Sequence, residues 1–252
     1  MHYFASLKFK PTIWVLLFSA FSSLYYIHNV QLYSKKDRVI QWDIISYYAY
    51  LPATFIYKDI SLKFTEQKQS KENYVFWGEK LANGNYRIKT SMGLSMLYAP
   101  FFFVAHAYAL VSDADAGGFS TPYKLALIYA ALFFLLVGLI FLRKLLGLYF
   151  SENIVALVLL AIFFGTNLYF YTVNEGPMSH VFNFALLSMF MFYTVKWHHS
   201  PNWKYTIFLG VLSGIISLIR PINVLVALLF ILYNFNFRKS IHLFLKHATK
   251  IF

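Results

Sequence analysis

Seven apolar runs constrain this chain more than any other feature, at about 11–27, 92–111, 123–142, 153–173, 178–195, 204–219 and 221–237. Crossing a hydrocarbon core takes roughly 20 residues of helix, and a soluble domain of 252 residues has no use for so many such stretches. Within lipid the backbone must satisfy its own N–H and C=O groups, so helices are the default. The predicted fold class is an all-α polytopic membrane protein. Only 13% of residues are charged, too few to coat a water-soluble domain of this size.

Lysine and arginine number 22 against 10 acids. On a soluble chain that excess would suggest nucleic acid. Here it is read as basic residues flanking membrane helices and touching anionic lipid, and no nucleic-acid-binding motif is present. There is no cysteine, which excludes disulfides, thiolate metal sites and cysteine nucleophiles. Lys8 and Lys10 precede the run Pro11–Ile27 without a small-x-small cleavage site after it, so an uncleaved first helix is expected.

Sidedness follows from the basic residues. If all seven runs cross from an inner N-terminus, Arg143, Lys144, Lys196, Lys204 and the tail cations Arg238, Lys239, Lys246 and Lys250 fall outside, against the positive-inside rule. If 92–111 lies along the interface or re-enters, these residues join Lys8 and Lys10 inside. That run carries Pro100 and His106 and ends in Ser112-Asp113-Ala114-Asp115 without a basic stop. The preferred architecture has about six crossing helices: a first one at 11–27, an outer loop 28–122 with interfacial helices near 43–57 and 92–111, a five-helix bundle at 123–237 and a basic inner tail at 238–252. The rival topology keeps 92–111 as a span and puts the N-terminus outside. Asn83-Gly84-Asn85 reads as the turn of a small hairpin.

Under the preferred topology Asp43, Glu175 and Arg220 share the outer face. A helix over 43–51 puts Asp43, Ser46, Tyr47 and Tyr50 on one face and Ile44, Tyr48, Leu51 and Phe55 on the other, with Pro52 ending or kinking it near Leu51. Such a helix suits the interface; the plain alternative is that Asp43 caps it. Glu175 is the one acid after Glu152 and sits between two apolar runs, where carboxylates are costly; its plain alternative is a solvated loop. Arg220-Pro221 breaks the last apolar stretch, and an arginine there suits a phosphate or snorkels to a lipid headgroup. Arg87 and Lys89 could serve the same phosphate. Glu175 with His180 falls short of a metal site. Walker A, dinucleotide-loop, HExxH and GxSxG patterns are missing from the sequence.

Four segments carry a resemblance: Gln41-Trp42-Asp43 through Pro52, Thr90-Ser91-Met92-Gly93 through Pro100, Asn174-Glu175 through His180, and Leu218-Ile219-Arg220-Pro221. In order and sidedness the chain resembles the GT-C membrane glycosyltransferases, in the bacterial branch related to protein O-mannosyltransferases and aminoarabinose transferases. The chain is shorter than such enzymes, as a truncated or partial relative would be. The resemblance implies a sugar moved from a polyprenyl-phosphate donor to an acceptor hydroxyl at the non-cytoplasmic face, in a bacterial inner membrane with the N-terminus cytoplasmic. Asp43 and Glu175 become the catalytic candidates, with Asp43 as general base. Arg220, Lys89 and Arg87 become donor-phosphate ligands, and Tyr47 and His180 position the acceptor. Branches of the family differ in using a divalent cation, Mg or Mn, and two scattered carboxylates leave that open. The expected partners are the lipid-linked sugar and membrane lipid, not nucleic acid; a transporter or flippase subunit, or a non-catalytic transferase-like protein, is the alternative.

Overall fold

The computed structural model describes residues 10–35, 38–66 and 78–233. Lys8 and the predicted tail 238–252 lie outside the described residues. The chain is 73% helix, with three helical stretches long and apolar enough to cross a membrane: Pro11–Ser34, Gly93–Val111 and Thr121–Leu146. The run expected to stay out of the bilayer core is therefore one of the three that qualify by length and composition. Shorter apolar helices occupy Glu152–Gly165, Trp203–Ile219 and Pro221–Leu232.

Helix ends follow local chemistry. α1 (Pro11–Val30) opens on a proline, whose missing N–H costs nothing in the first turn, and stops at Gln31 in the left-handed region. α2 (Trp42–Tyr48) and α3 (Tyr50–Phe55) divide at Ala49. The expected break near Leu51 falls earlier because the Pro52 ring excludes a helical bond to Tyr48, four residues back. α4 (Gly93–Val111) contains Pro100, and α5 (Thr121–Leu146) begins behind Ser120. The single run expected at 153–173 is two helices, α6 (Glu152–Gly165) and α7 (Leu168–Val173). Thr166 makes the break: its hydroxyl donates to the Ile162 carbonyl at 2.6 Å and accepts from the Leu168 amide at 3.2 Å, in place of a continuous helical ladder. α8 (Ser179–His199) leads to α9 (Trp203–Ile219), capped by Asn202 accepting the Tyr205 amide at 3.0 Å. A 3₁₀ turn at Pro221–Leu225 precedes α10 (Val226–Leu232). The predicted hairpin is present: β1 (Glu79–Lys80) pairs antiparallel with β2 (Tyr86–Arg87), and Gly84 takes φ +80° between them.

Side-chain pairs fix the direction of each helix. Thr12 meets Arg143 and His28 meets Tyr129, so α1 and α5 are antiparallel. α6 and α7 rise with α1, Thr12 at Glu152 and Tyr26 at Tyr169. α8 descends with α5: Phe134 meets Phe182 and Phe141 meets Phe192. The α5–α8 contact is the most extensive in the molecule. It is close because Gly138 has no side chain; a Cβ there would lie 2.5 Å from the Phe184 ring and 3.0 Å from Ala185 Cα. α9 returns beside α8, with Tyr193 on Phe208. α4 instead lies against the first half of α5, between Pro122 and Phe133. The bundle thus has an Arg143 end and a Glu175 end, and α2, α3 and α4 gather at the latter.

Candidate functional site

Three hydroxyls, one just before α4 and two in its first turns, tie the Glu175 end together. The Ser95 hydroxyl donates to the Tyr47 carbonyl in α2, the Tyr98 hydroxyl to the Pro177 carbonyl in the α7–α8 link, and the Ser91 hydroxyl to the Leu218 carbonyl in α9. Tyr50 adds a bond from its hydroxyl to the Thr90 carbonyl at 2.7 Å. Gly93 permits the closest approach: a Cβ there would stand 2.7 Å from the Leu218 carbonyl carbon and 2.8 Å from the Ile219 nitrogen. One short stretch, 90–98, therefore touches all three segments predicted to carry the functional charges.

Asp43 is exposed in the first turn of α2, with no hydrogen-bond or ion-pair partner among the described residues. It does not cap the helix; the cap position is Gln41, and no side chain bonds there. α2 and α3 follow the direction of α4, with Tyr47 level with Ser95 and Phe55 with Phe103. Asp43 lies a turn before Tyr47, about 6 Å further toward the start of α4, the side on which Ser91 meets Leu218.

The helix bearing Asp43 is not half-exposed as its pattern predicts. Ile44 through Ala49 are all buried, Tyr47 among them, because the helix packs under α4 and the 112–120 loop and not on open lipid. Tyr48 holds that loop, its hydroxyl donating to the Gly118 carbonyl at 2.5 Å. Tyr47 supports the site through its backbone; its ring is 4% exposed and has little surface to offer a substrate.

Glu175 is half-buried in the link Asn174–Met178. Desolvation raises its carboxyl above the ordinary glutamate range, and the Arg38 guanidinium opposes that rise. Asn174 anchors the link to α1, accepting from the Tyr26 hydroxyl at 2.7 Å. Arg38 is the residue that the sequence pattern misses. It stands five residues before Asp43 in a stretch crowded with basic residues, and nothing in its spacing distinguishes it.

Arg220 caps the end of α9, half-buried, and its Nε donates to the Ser179 hydroxyl at 3.0 Å. His180 stacks on Tyr171 with ring centroids 3.6 Å apart, and its Nδ1 is buried without a hydrogen-bond partner. Arg220 is close enough to act electrostatically on His180, so the two predicted residues are neighbours. Lys89 is exposed, two residues before the Ser91 that binds α9. Arg87 is ion-paired to Glu79 on the exposed hairpin. The structure thus brings Arg220 and His180 together, places Lys89 two residues from the Ser91–Leu218 contact and leaves Arg87 engaged on the hairpin.

Among the described residues no three His, Asp or Glu side chains converge as metal ligands. Asp43 and Glu175 hang from different segments, and no third carboxylate or histidine joins them among the described residues. A groove of about 710 Å³ lies between α4 and α5, lined by Val104, Tyr108, Asp113, Leu125 and Tyr129 among others, and by none of the predicted site residues. No family model, curated protein or solved structure matches the chain.

Proposed function

We propose that this protein is a membrane glycosyltransferase that moves a sugar from a polyprenyl-phosphate donor to an acceptor hydroxyl at the Glu175 end of its bundle. The observation that carries the reading is the convergence on α4: the segments bearing Asp43, Glu175 and Arg220 are each bonded to residues 91–98. Asp43 accepts the proton of the acceptor hydroxyl as its oxygen bonds to the anomeric carbon. The bond from that carbon to the phosphate oxygen breaks, and the lipid phosphate leaves with the electron pair. Arg220 and Lys89 stabilise the charge on the departing phosphate. Glu175 and Arg38 form an opposed pair at the rim that orients the acceptor.

The reading takes about six crossing helices, with α4 along the outer half of the bundle. Its support is that the ring contacts and the groove between α4 and α5 fall on the first half of α5, while the cations Arg143 and Lys144 lie at the other end. A bacterial inner membrane with that cationic end in the cytoplasm fits the proposal.

Asp43→Asn keeps the shape of the side chain and removes the base. Transfer from a polyprenyl-phosphate sugar should fall by about 10²–10⁴-fold with donor binding retained; undiminished transfer overturns the assignment of Asp43. The chain has no cysteine, so single cysteines at positions 43, 144 and 175 report sidedness directly. Labelling of 43 and 175 from opposite faces defeats the shared site.

A second reading, a transporter or flippase subunit, draws on the two helix breaks, Thr166–Asn167 and Arg220–Pro221, since interrupted helices line transport sites. Uptake of a lipid-linked sugar into proteoliposomes without transfer would favour it.

A further inference from the structure

At the Arg143 end, away from Asp43 and Glu175, lies a cavity of about 290 Å³. Lys10, Arg143, Lys144 and Glu152 line it together with the apolar Leu148 and Phe150. Three cations thus face one carboxylate, and that carboxylate is already occupied. Glu152 accepts from the Thr12 hydroxyl at 2.8 Å and from Arg143 Nη2 at 2.9 Å, and Lys10 Nζ is 3.6 Å away. Lys144 has no carboxylate partner among the described residues; its Nζ stands 4.9 Å from the centroid of the Phe141 ring. The cavity is left with surplus positive charge.

Its surroundings identify the kind of anion. Leu148, Tyr149 and Phe150 are each about half exposed beside the cations, and Trp14 and Trp203 are exposed on helix turns at the same end. Exposed rings mixed with cations mark the headgroup level of a bilayer. A second cavity of about 230 Å³ shares Leu148 and adds Lys196 and His199. A free anion would use the cations and leave the apolar rim bare, whereas a phospholipid uses both.

We propose that this cavity binds the phosphate of an anionic phospholipid headgroup, on the membrane face opposite the Asp43–Glu175 end. Lys10 and Lys144 contact the phosphate oxygens, and the acyl chains lie over Leu148 and Phe150. Arg143 remains bonded to Thr12 and Glu152 and holds the cavity open. The proposal does not depend on the transfer reaction.

The test is a titration of the full-length protein in detergent micelles with phosphatidylglycerol, phosphatidylcholine and inorganic phosphate in turn, with bound species counted by native mass spectrometry. Phosphatidylglycerol should bind well above phosphatidylcholine, and inorganic phosphate should neither bind at millimolar concentration nor displace the lipid. The double variant K10Q/K144Q spares the Thr12–Arg143–Glu152 bonds and should weaken phosphatidylglycerol about 25-fold, roughly fivefold per lysine, while K63Q on the far loop changes nothing. E152Q removes the competing carboxylate and should tighten the same lipid, an effect of opposite sign that a structural defect would not give. Equal binding of the two lipids, an unaffected K10Q/K144Q, or inorganic phosphate competing as well as the lipid would overturn the proposal, the last by assigning the cavity to a free anion.

Discussion

Replacing Gly93 with alanine tests whether the closeness of α4 to α9 organises the Glu175 end. The new methyl would meet three backbone atoms of Leu218 and Ile219 at 2.7–2.9 Å. Backbone in a helix end has little room to yield, so the elements must part by the difference from ordinary contact at 3.4 Å, about 0.7 Å. That movement breaks the Ser91–Leu218 bond and shifts the end of α9, which carries Arg220, away from the start of α4. Overpacking of this kind costs about 1–3 kcal/mol, and each kcal/mol lowers the melting temperature of a chain this long by about 2–4 °C. If the proposed reaction depends on this geometry, a displacement approaching 1 Å lowers transfer by up to about 10²-fold. Thermal unfolding and transfer would be measured on the same detergent-solubilised protein. Gly214→Ala is the control: beyond its chain neighbours and its own helix backbone, no atom lies within 4 Å of its would-be Cβ, and alanine's better helix propensity should leave it at least as stable as wild type. A Gly93→Ala protein with the melting temperature and transfer rate of Gly214→Ala would refute the reasoning.

Three more outcomes are expected. Burial raises the Glu175 carboxyl, so the folded state holds that proton to higher pH than the unfolded chain does. The associated stability is full below the ordinary glutamate range and is lost as pH rises through the raised value. Glu175→Gln should abolish that loss, and Arg38→Gln should move it to higher pH; a melting-temperature profile against pH that is identical in all three proteins would contradict the assignment. Arg220→Gln should lower transfer roughly 10²-fold, while Arg87→Gln has little effect because Arg87 is spent on Glu79; steady-state kinetics showing the reverse order would exchange their roles. Thr12→Val should cost about 1–3 kcal/mol in denaturant unfolding, since the fully buried Thr12 hydroxyl accepts from Arg143 Nε at 2.5 Å and donates to Glu152.

The sequence by itself determined the helical class, because apolar runs of this length have few other solutions; it located the starts of the helices at 11–30 and 121–146 within two residues and their ends within four, and it placed the hairpin turn at Gly84. It singled out Asp43, Glu175 and Arg220 by their rarity among apolar neighbours. It did not reveal the break at Thr166, where a hydroxyl replaces a ladder bond, or the burial of Tyr47, whose face pattern is equally that of a helix at a lipid surface. Arg38 was invisible because its effect is electrostatic and falls on Glu175, which lies 137 positions along the chain. The tertiary structure alone decided which segments meet at α4, for those contacts are hydroxyls donating to backbone carbonyls. A carbonyl belongs to every residue, so no side-chain pattern announces where such a bond will land.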